Sequence, residues 1–183
     1  MKMEKQIVNS KQFGLMIERL AHQLIENHSD FTETILVGLQ PRGVEFAHRI
    51  VDKLNEISND KNIKSGSLDI TFFRDDFGRR ESPIEPQELD MNISVEDKNV
   101  VLIDDVLFTG RSIRSALEAL LSFGRPNQVE LMVLVDRRLK RHLPIQPNYI
   151  GKTVDSIFSE KVIVRWNSEN TEDEIILLKS ENE

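Results

Sequence analysis

Apolar residues recur along this chain at two spacings, helical and strand-like, and the alternation between them outlines a fold. From residue 10 to 28, Phe13, Ile17, Leu20, Ala21 and Leu24 fall on one helical stripe, with Glu18, Arg19, His22 and Glu26 largely off it. Ser10 stands where an N-cap belongs. Thr34 to Leu39 is an apolar run that reads as a buried strand, Gln40-Pro41-Arg42-Gly43 is a turn, and a helix is expected from about Val44 to Ile57. Another strand is expected over about Ser67 to Phe73. Residues 74–92 are polar and hold Gly78, Pro83 and Pro86. A loop of that length in a compact domain is a lid, a binding loop or a bland solvated segment. Asn99 to Ile103 is a central strand, and Arg111 to Phe123 a helix with Ile113, Ala116, Leu117, Leu120 and Leu121 on its buried stripe. Gln128 to Val135 is a further strand, ending at Asp136. Beyond residue 137 the pattern is irregular, with short strands near Lys161 to Trp166 and Glu174 to Leu178. There is no internal repeat and no linker, so residues 1–183 are expected to form one α/β domain. Its core is expected to be a mostly parallel twisted sheet with helices on both faces.

Composition narrows the setting. At 183 residues the chain can bury a sizeable core. With no cysteine, disulfides and thiolate metal sites are excluded, and no apolar run approaches the roughly 18 residues needed to span a membrane. Met-Lys-Met-Glu-Lys at the start is followed by no apolar signal core, so a cytoplasmic location is the expectation. The net charge of −7 argues against general nucleic-acid affinity, but Arg137, Arg138, Lys140 and Arg141 make a local basic stretch while the tail from Glu169 is acidic.

The most informative segment is Val-Val-Leu-Ile-Asp-Asp-Val-Leu-Phe-Thr-Gly-Arg-Ser, residues 100–112. Two carboxylates, Asp104 and Asp105, end a strand, and a Thr109-Gly110 turn then opens a helix. Ligands of open α/β sheets sit beyond the carboxyl ends of strands, and a helix N-terminus offers unpaired N–H groups to an anion. Acids for hydroxyls or a hydrated metal thus stand beside a cradle for a phosphate, which suits a sugar phosphate. Neither the nucleotide P-loop pattern nor the dinucleotide glycine pattern is present. Taken singly, the turn could be an ordinary cap, and the acids a surface residue beside a capping one.

Together, residues 100–110 resemble the phosphoribosyl pyrophosphate (PRPP) motif of type I phosphoribosyltransferases. Ile35-Leu36-Val37-Gly38 followed by Arg42-Gly43 resembles the family's pyrophosphate loop. Leu68 to Asp76, Val133 to Arg137, Leu143-Pro144-Ile145, Tyr149-Ile150-Gly151-Lys152 and Arg19-Leu20-Ala21-His22 are similar to one subfamily over nearly the full length. That subfamily comprises pyrimidine-operon regulators with uracil phosphoribosyltransferase activity.

The resemblance implies the reaction of uracil with PRPP to give uridine monophosphate (UMP) and pyrophosphate, with Mg²⁺. Asp104 and Asp105 would be the catalytic acids, holding the ribose hydroxyls directly or through the metal's waters. Leu107, Phe108, Thr109, Gly110, Arg111 and Ser112 would bind the 5′-phosphate. Pro41, Arg42 and Gly43 would face the pyrophosphate, joined by Arg74, and the 74–92 lid would bring Arg79 or Arg80 over it. Such pyrophosphate loops often carry a cis peptide, so Gln40–Pro41 is expected to be cis, with a trans proline stiffening the turn as the alternative. Uracil would lie under a small hood of about residues 137–165, read by backbone around Val135, Asp136 and Arg137 and near Ile157. Asp136 could equally just end a strand.

Some members of the subfamily also bind messenger RNA, and for such a role the resemblance makes Arg19, His22, Arg138, Lys140, Arg141 and Lys152 the candidate contacts. Against this, Glu18 beside Arg19 repels phosphate, and the basic stretch 136–144 is one residue longer than the family's usual form. Its extra charge suits either RNA or acids across a subunit interface. His22 paired with Glu18 is the plain alternative, and His28 and His48 read as ordinary helix residues. The resemblance also implies a homodimer or a larger assembly. An RNA-binding attenuator with secondary catalysis and a purine phosphoribosyltransferase are the competing functions.

Overall fold

The computed structural model describes residues 3–58, 63–73, 94–157, 159–166 and 172–179. The expected lid at 74–92, with Arg74, Arg79 and Arg80, lies outside the described residues. The elements run β1 (Met3–Val8), α1 (Ser10–His28), β2 (Thr34–Leu39), α2 (Arg42–Ser58), β3 (Lys64–Leu68), β4 (Asn99–Leu107), α3 (Arg111–Leu120), β5 (Gln128–Arg137), β6 (Tyr149–Val154), β7 (Lys161–Arg165) and β8 (Glu174–Lys179).

Five strands form a parallel sheet in the order β3-β2-β4-β5-β6. All six residues of β2 are buried, as a parallel strand covered on both faces demands. On one face Leu36, Val101, Ile103, Met132 and Leu134 meet Phe13, Leu20 and Leu24 of α1 and Phe46, Ile50 and Leu54 of α2. On the other, Val37, Val100, Leu102 and Val133 pack under Ile113, Ala116, Ala119 and Leu120 of α3. Each fully buried side chain of this kind contributes about 1.5–3 kcal/mol.

A second, antiparallel sheet has the order β1-β8-β7. Of its strands only β7 falls within the 137–165 expected for a hood. β1 gives little apolar signal, because only Val8 of its six residues is buried. Trp166, just past β7, meets Phe13 edge-on at 5.4 Å and stacks near Phe46 at 6.4 Å, which docks the small sheet on α1 and α2.

Local chemistry moves several expected boundaries. The cap of α1 is Asn9 rather than Ser10: its side chain accepts from the Gln12 N–H, and the Gln12 side chain accepts from the Asn9 N–H. The strand expected through Phe73 stops at Leu68, because the Asp69 carboxylate accepts from both the N–H and the hydroxyl of Thr71 and turns the chain. α3 ends at Leu120 and tightens into a 3-10 turn; Leu117 and Leu121 are exposed, while Ser115 and Ala119 are buried with Ile113, Ala116 and Leu120.

Candidate active site at the ends of β2, β4 and β5

β4 outruns β2. Its pairing with β2 ends at Gly38↔Ile103, while its pairing with β5 continues to Leu107↔Asp136. Asp104 and Asp105 therefore lie inside β4 rather than after it, hydrogen-bonded on one side only. The open side is filled by the first turn of α2. A Cβ on Gly43 would stand 2.3 Å from the Ile103 carbonyl oxygen and 3.0 Å from Asp104 Cα, so only glycine allows this approach. The turn that enters α2 contains a cis peptide at Gln40–Pro41.

Successive strand residues face opposite ways, and the two acids differ accordingly. Asp105 is buried, with Oδ2 lacking a hydrogen-bond partner. Arg42 Nη1 stands 3.7 Å from that oxygen, beyond hydrogen-bond reach. Asp104 is partly exposed and accepts from the Asp105 N–H at 2.9 Å. Burial raises the Asp104 carboxyl above its ordinary value, and the neighbouring Asp105 charge raises it further. Burial also raises Asp105, against the pull of Arg42. A cavity of about 170 Å³ joins the pair to Gln40, Pro41, Arg42, Ile70 and Ser112.

Beyond β4 the chain turns through Phe108 and Thr109 into α3. Gly110, the N-cap, has a left-handed φ of 89°, a conformation that favours glycine. Arg111 is exposed and Ser112 half-buried at the helix start, where the free amides gather. A segment after β5 holds this loop in place: the His142 N–H donates to the Thr109 carbonyl at 3.0 Å and Arg141 Nη1 to the Phe108 carbonyl at 2.9 Å. Arg141 also pairs with the buried Asp136 carboxylate. Asp136 therefore does more than end a strand, and with Arg138, Arg141 and Ile145 it lines a larger cavity of about 670 Å³.

Val135, Asp136 and Arg137 are all buried at the end of β5. The Arg137 guanidinium donates to Ser156 Oγ at 2.7 Å and to the carbonyls of Ile157 at 3.1 Å and Glu160 at 2.8 Å. Its Cζ lies 3.9 Å from the centroid of the Phe108 ring. Neither the Arg141 bond to the Phe108 carbonyl nor the Arg137 bonds have a local sequence signal, because those partners lie 33 and at least 19 residues away.

The basic residues singled out for RNA divide into two groups. Arg19 Nη2 donates to the carbonyls of Ile150 and Gly151 at 2.9 and 2.7 Å, and Arg138 makes a two-pronged pair with Asp155. Arg141 is engaged as above. His22, Lys140 and Lys152 are exposed. Among the described residues no helix is long and apolar enough to cross a membrane.

Residues 3–168 match the model of the phosphoribosyl transferase domain. A curated relative from Actinobacillus succinogenes, called bifunctional protein PyrR, is 47% identical over 89% of this chain and 92% of its own length. One of the same name from Actinobacillus pleuropneumoniae serotype 5b is 40% identical over 99% of this chain and 100% of its own. Among solved structures, the hypoxanthine phosphoribosyltransferase of Trypanosoma cruzi in complex with the product IMP covers 97% of this chain and 91% of its own, with a TM-score of 0.71 at 15% identity, a likeness of fold.

Proposed function

The chain belongs to the phosphoribosyl transferase family, in the branch called bifunctional protein PyrR, and from that premise we propose that it transfers the phosphoribosyl group of PRPP to uracil. The observation that carries this reading is the meeting, at the end of β4, of a carboxylate pair, Asp105 buried and Asp104 partly exposed, with a glycine-capped helix N-terminus.

Breaking the anomeric C–O bond builds positive charge on the ribose and negative charge on the leaving pyrophosphate. Catalysis then rests on positioning and on stabilising the leaving group. Asp104 and Asp105 hold the ribose hydroxyls. The amides and hydroxyls from Thr109 to Ser112, with the Arg111 charge, cradle the 5′-phosphate. Arg42 and the Gly43 N–H face the pyrophosphate. Backbone at the end of β5 and near Ile157 reads the base edge.

The residues fit Mg²⁺. Two carboxylates, one with a buried oxygen that lacks a hydrogen-bond partner, supply hard oxygen donors, and Mg²⁺ ordinarily takes one or two carboxylates together with substrate oxygens and water. Acids raised by burial and mutual repulsion also gain from a cationic partner. When bound, the ion neutralises charge on the pyrophosphate. Among the described residues no three His, Cys, Asp or Glu side chains gather to hold a metal by themselves, so the ion would arrive with its ligand.

A second role as a UMP-responsive RNA-binding regulator is supported by the exposed Lys140, Lys152 and His22. The relatives' name, bifunctional protein, is in keeping with it. The catalytic reading is tested by following pyrophosphate release from PRPP and Mg²⁺ with a panel of bases. Release with uracil alone supports it, and release with hypoxanthine or guanine alone overturns it.

A further inference from the structure

Arg137 joins two segments that are far apart in sequence. It is only 5% exposed, yet its hydrogen-bond acceptors are neutral, a hydroxyl and two carbonyls, and it stacks over a ring face. A buried guanidinium is tolerated when its N–H groups find acceptors, and here three of the five do so in the turn that holds Ser156, Ile157 and Glu160. That turn is tied down further. The Ile157 N–H donates to Glu160 Oε2 at 3.0 Å, and Glu160 Oε1 pairs with Lys179 of β8 at 3.2 Å. The ring beneath the guanidinium belongs to Phe108, within the phosphate loop. The clamp leaves the Ile157 side chain 57% exposed beside the end of β5.

We propose that Arg137 is a positioning residue whose side chain locks the 156–160 turn to Phe108, so that occupation of the phosphate loop orders the base-facing turn. The proposal rests on the phosphoribosyltransferase reading of the site. A planar fork stacked on a ring is needed for this, and the point charge of lysine supplies neither the fork nor the stacking.

Amide hydrogen exchange with ribose 5-phosphate as the probe separates the proposal from simple packing. In the wild type, saturating probe should slow exchange at 107–112 and, by about threefold or more, at 156–160. In Arg137→Lys the protection at 107–112 should remain while that at 156–160 is lost. Phe108→Leu, which removes only the ring face, should lose it too and serves if the lysine variant folds poorly. In turnover, Arg137→Lys should raise the KM for uracil about tenfold and leave that for PRPP within about twofold, since only the base-facing turn is released. Protection at 156–160 that persists in both variants, or is absent from the wild type, would overturn the proposal. A wild type that transmits the protection but does not use uracil would support the coupling and sink the base assignment.

Discussion

The two acids at residues 104 and 105 are held at an energetic disadvantage that a ligand can relieve. Both carboxyls are raised by burial, so the folded state binds protons more tightly than the unfolded one. Stability from this source is present at low pH and is lost as pH rises from the ordinary 3.8 through the raised values of the folded pair. Asp104→Asn with Asp105→Asn should therefore raise the Tm of the ligand-free protein at about pH 7.5 by several degrees, at about 2–4 °C per kcal/mol, with the gain shrinking towards about pH 4. Thermal unfolding at both pH values checks this; a variant less stable at the higher pH would contradict it. Gly43 is the opposite case, a residue set by space alone. Gly43→Ala puts a methyl into the Ile103 carbonyl and should cost about 1–3 kcal/mol, read as a fall in Tm. Arg42-Gly43 was legible as a motif, but the reason for the glycine depends on Ile103 and Asp104 of β4, far along the chain.

Among the elements, the strand–turn–helix unit of β4 and α3 carries the proposed site, and most of that unit could be read from the chain. The apolar run, the acids and the glycine turn are local signals. What could not be read was how far β4 extends, because that depends on pairing with β5 after β2 has stopped. β1 and β6 were missed for a related reason. β1 is largely exposed, and β6 mixes Gly151 and Lys152 with apolar residues, so neither shows a clean period. The helix start yields its own prediction. Gly110→Ala forces a left-handed φ on a residue with a Cβ, at roughly 1–2 kcal/mol, and brings that Cβ to 3.2 Å from the Ile145 side chain. Affinity for ribose 5-phosphate should fall about tenfold by calorimetry while α3 itself still forms; unchanged affinity would remove α3 from the phosphate site.

For the whole molecule, a net charge of −7 and a local basic region coexist, and the structure separates cations that hold the fold from cations that face outward. Arg19 serves the β6 carbonyls, so Arg19→Ala should lower thermal stability. Lys140 and Lys152 are exposed, and replacing either with alanine should leave stability unchanged. If leader RNA binds through these lysines, each change should reduce the salt slope of binding by about 1 in filter-binding titrations. Slopes identical to wild type would exclude both lysines as phosphate contacts.

On the proposed reading, PRPP is held and cleaved along the segment from Asp104 to Ser112. Pyrophosphate release from PRPP, Mg²⁺ and uracil, compared between the wild type and Asp104→Asn with Asp105→Asn, tests it most directly. The expected result is a folded double variant whose turnover is lower by at least about 10²–10³-fold. Turnover within about twofold of wild type, in a variant that unfolds cooperatively, would contradict the claim.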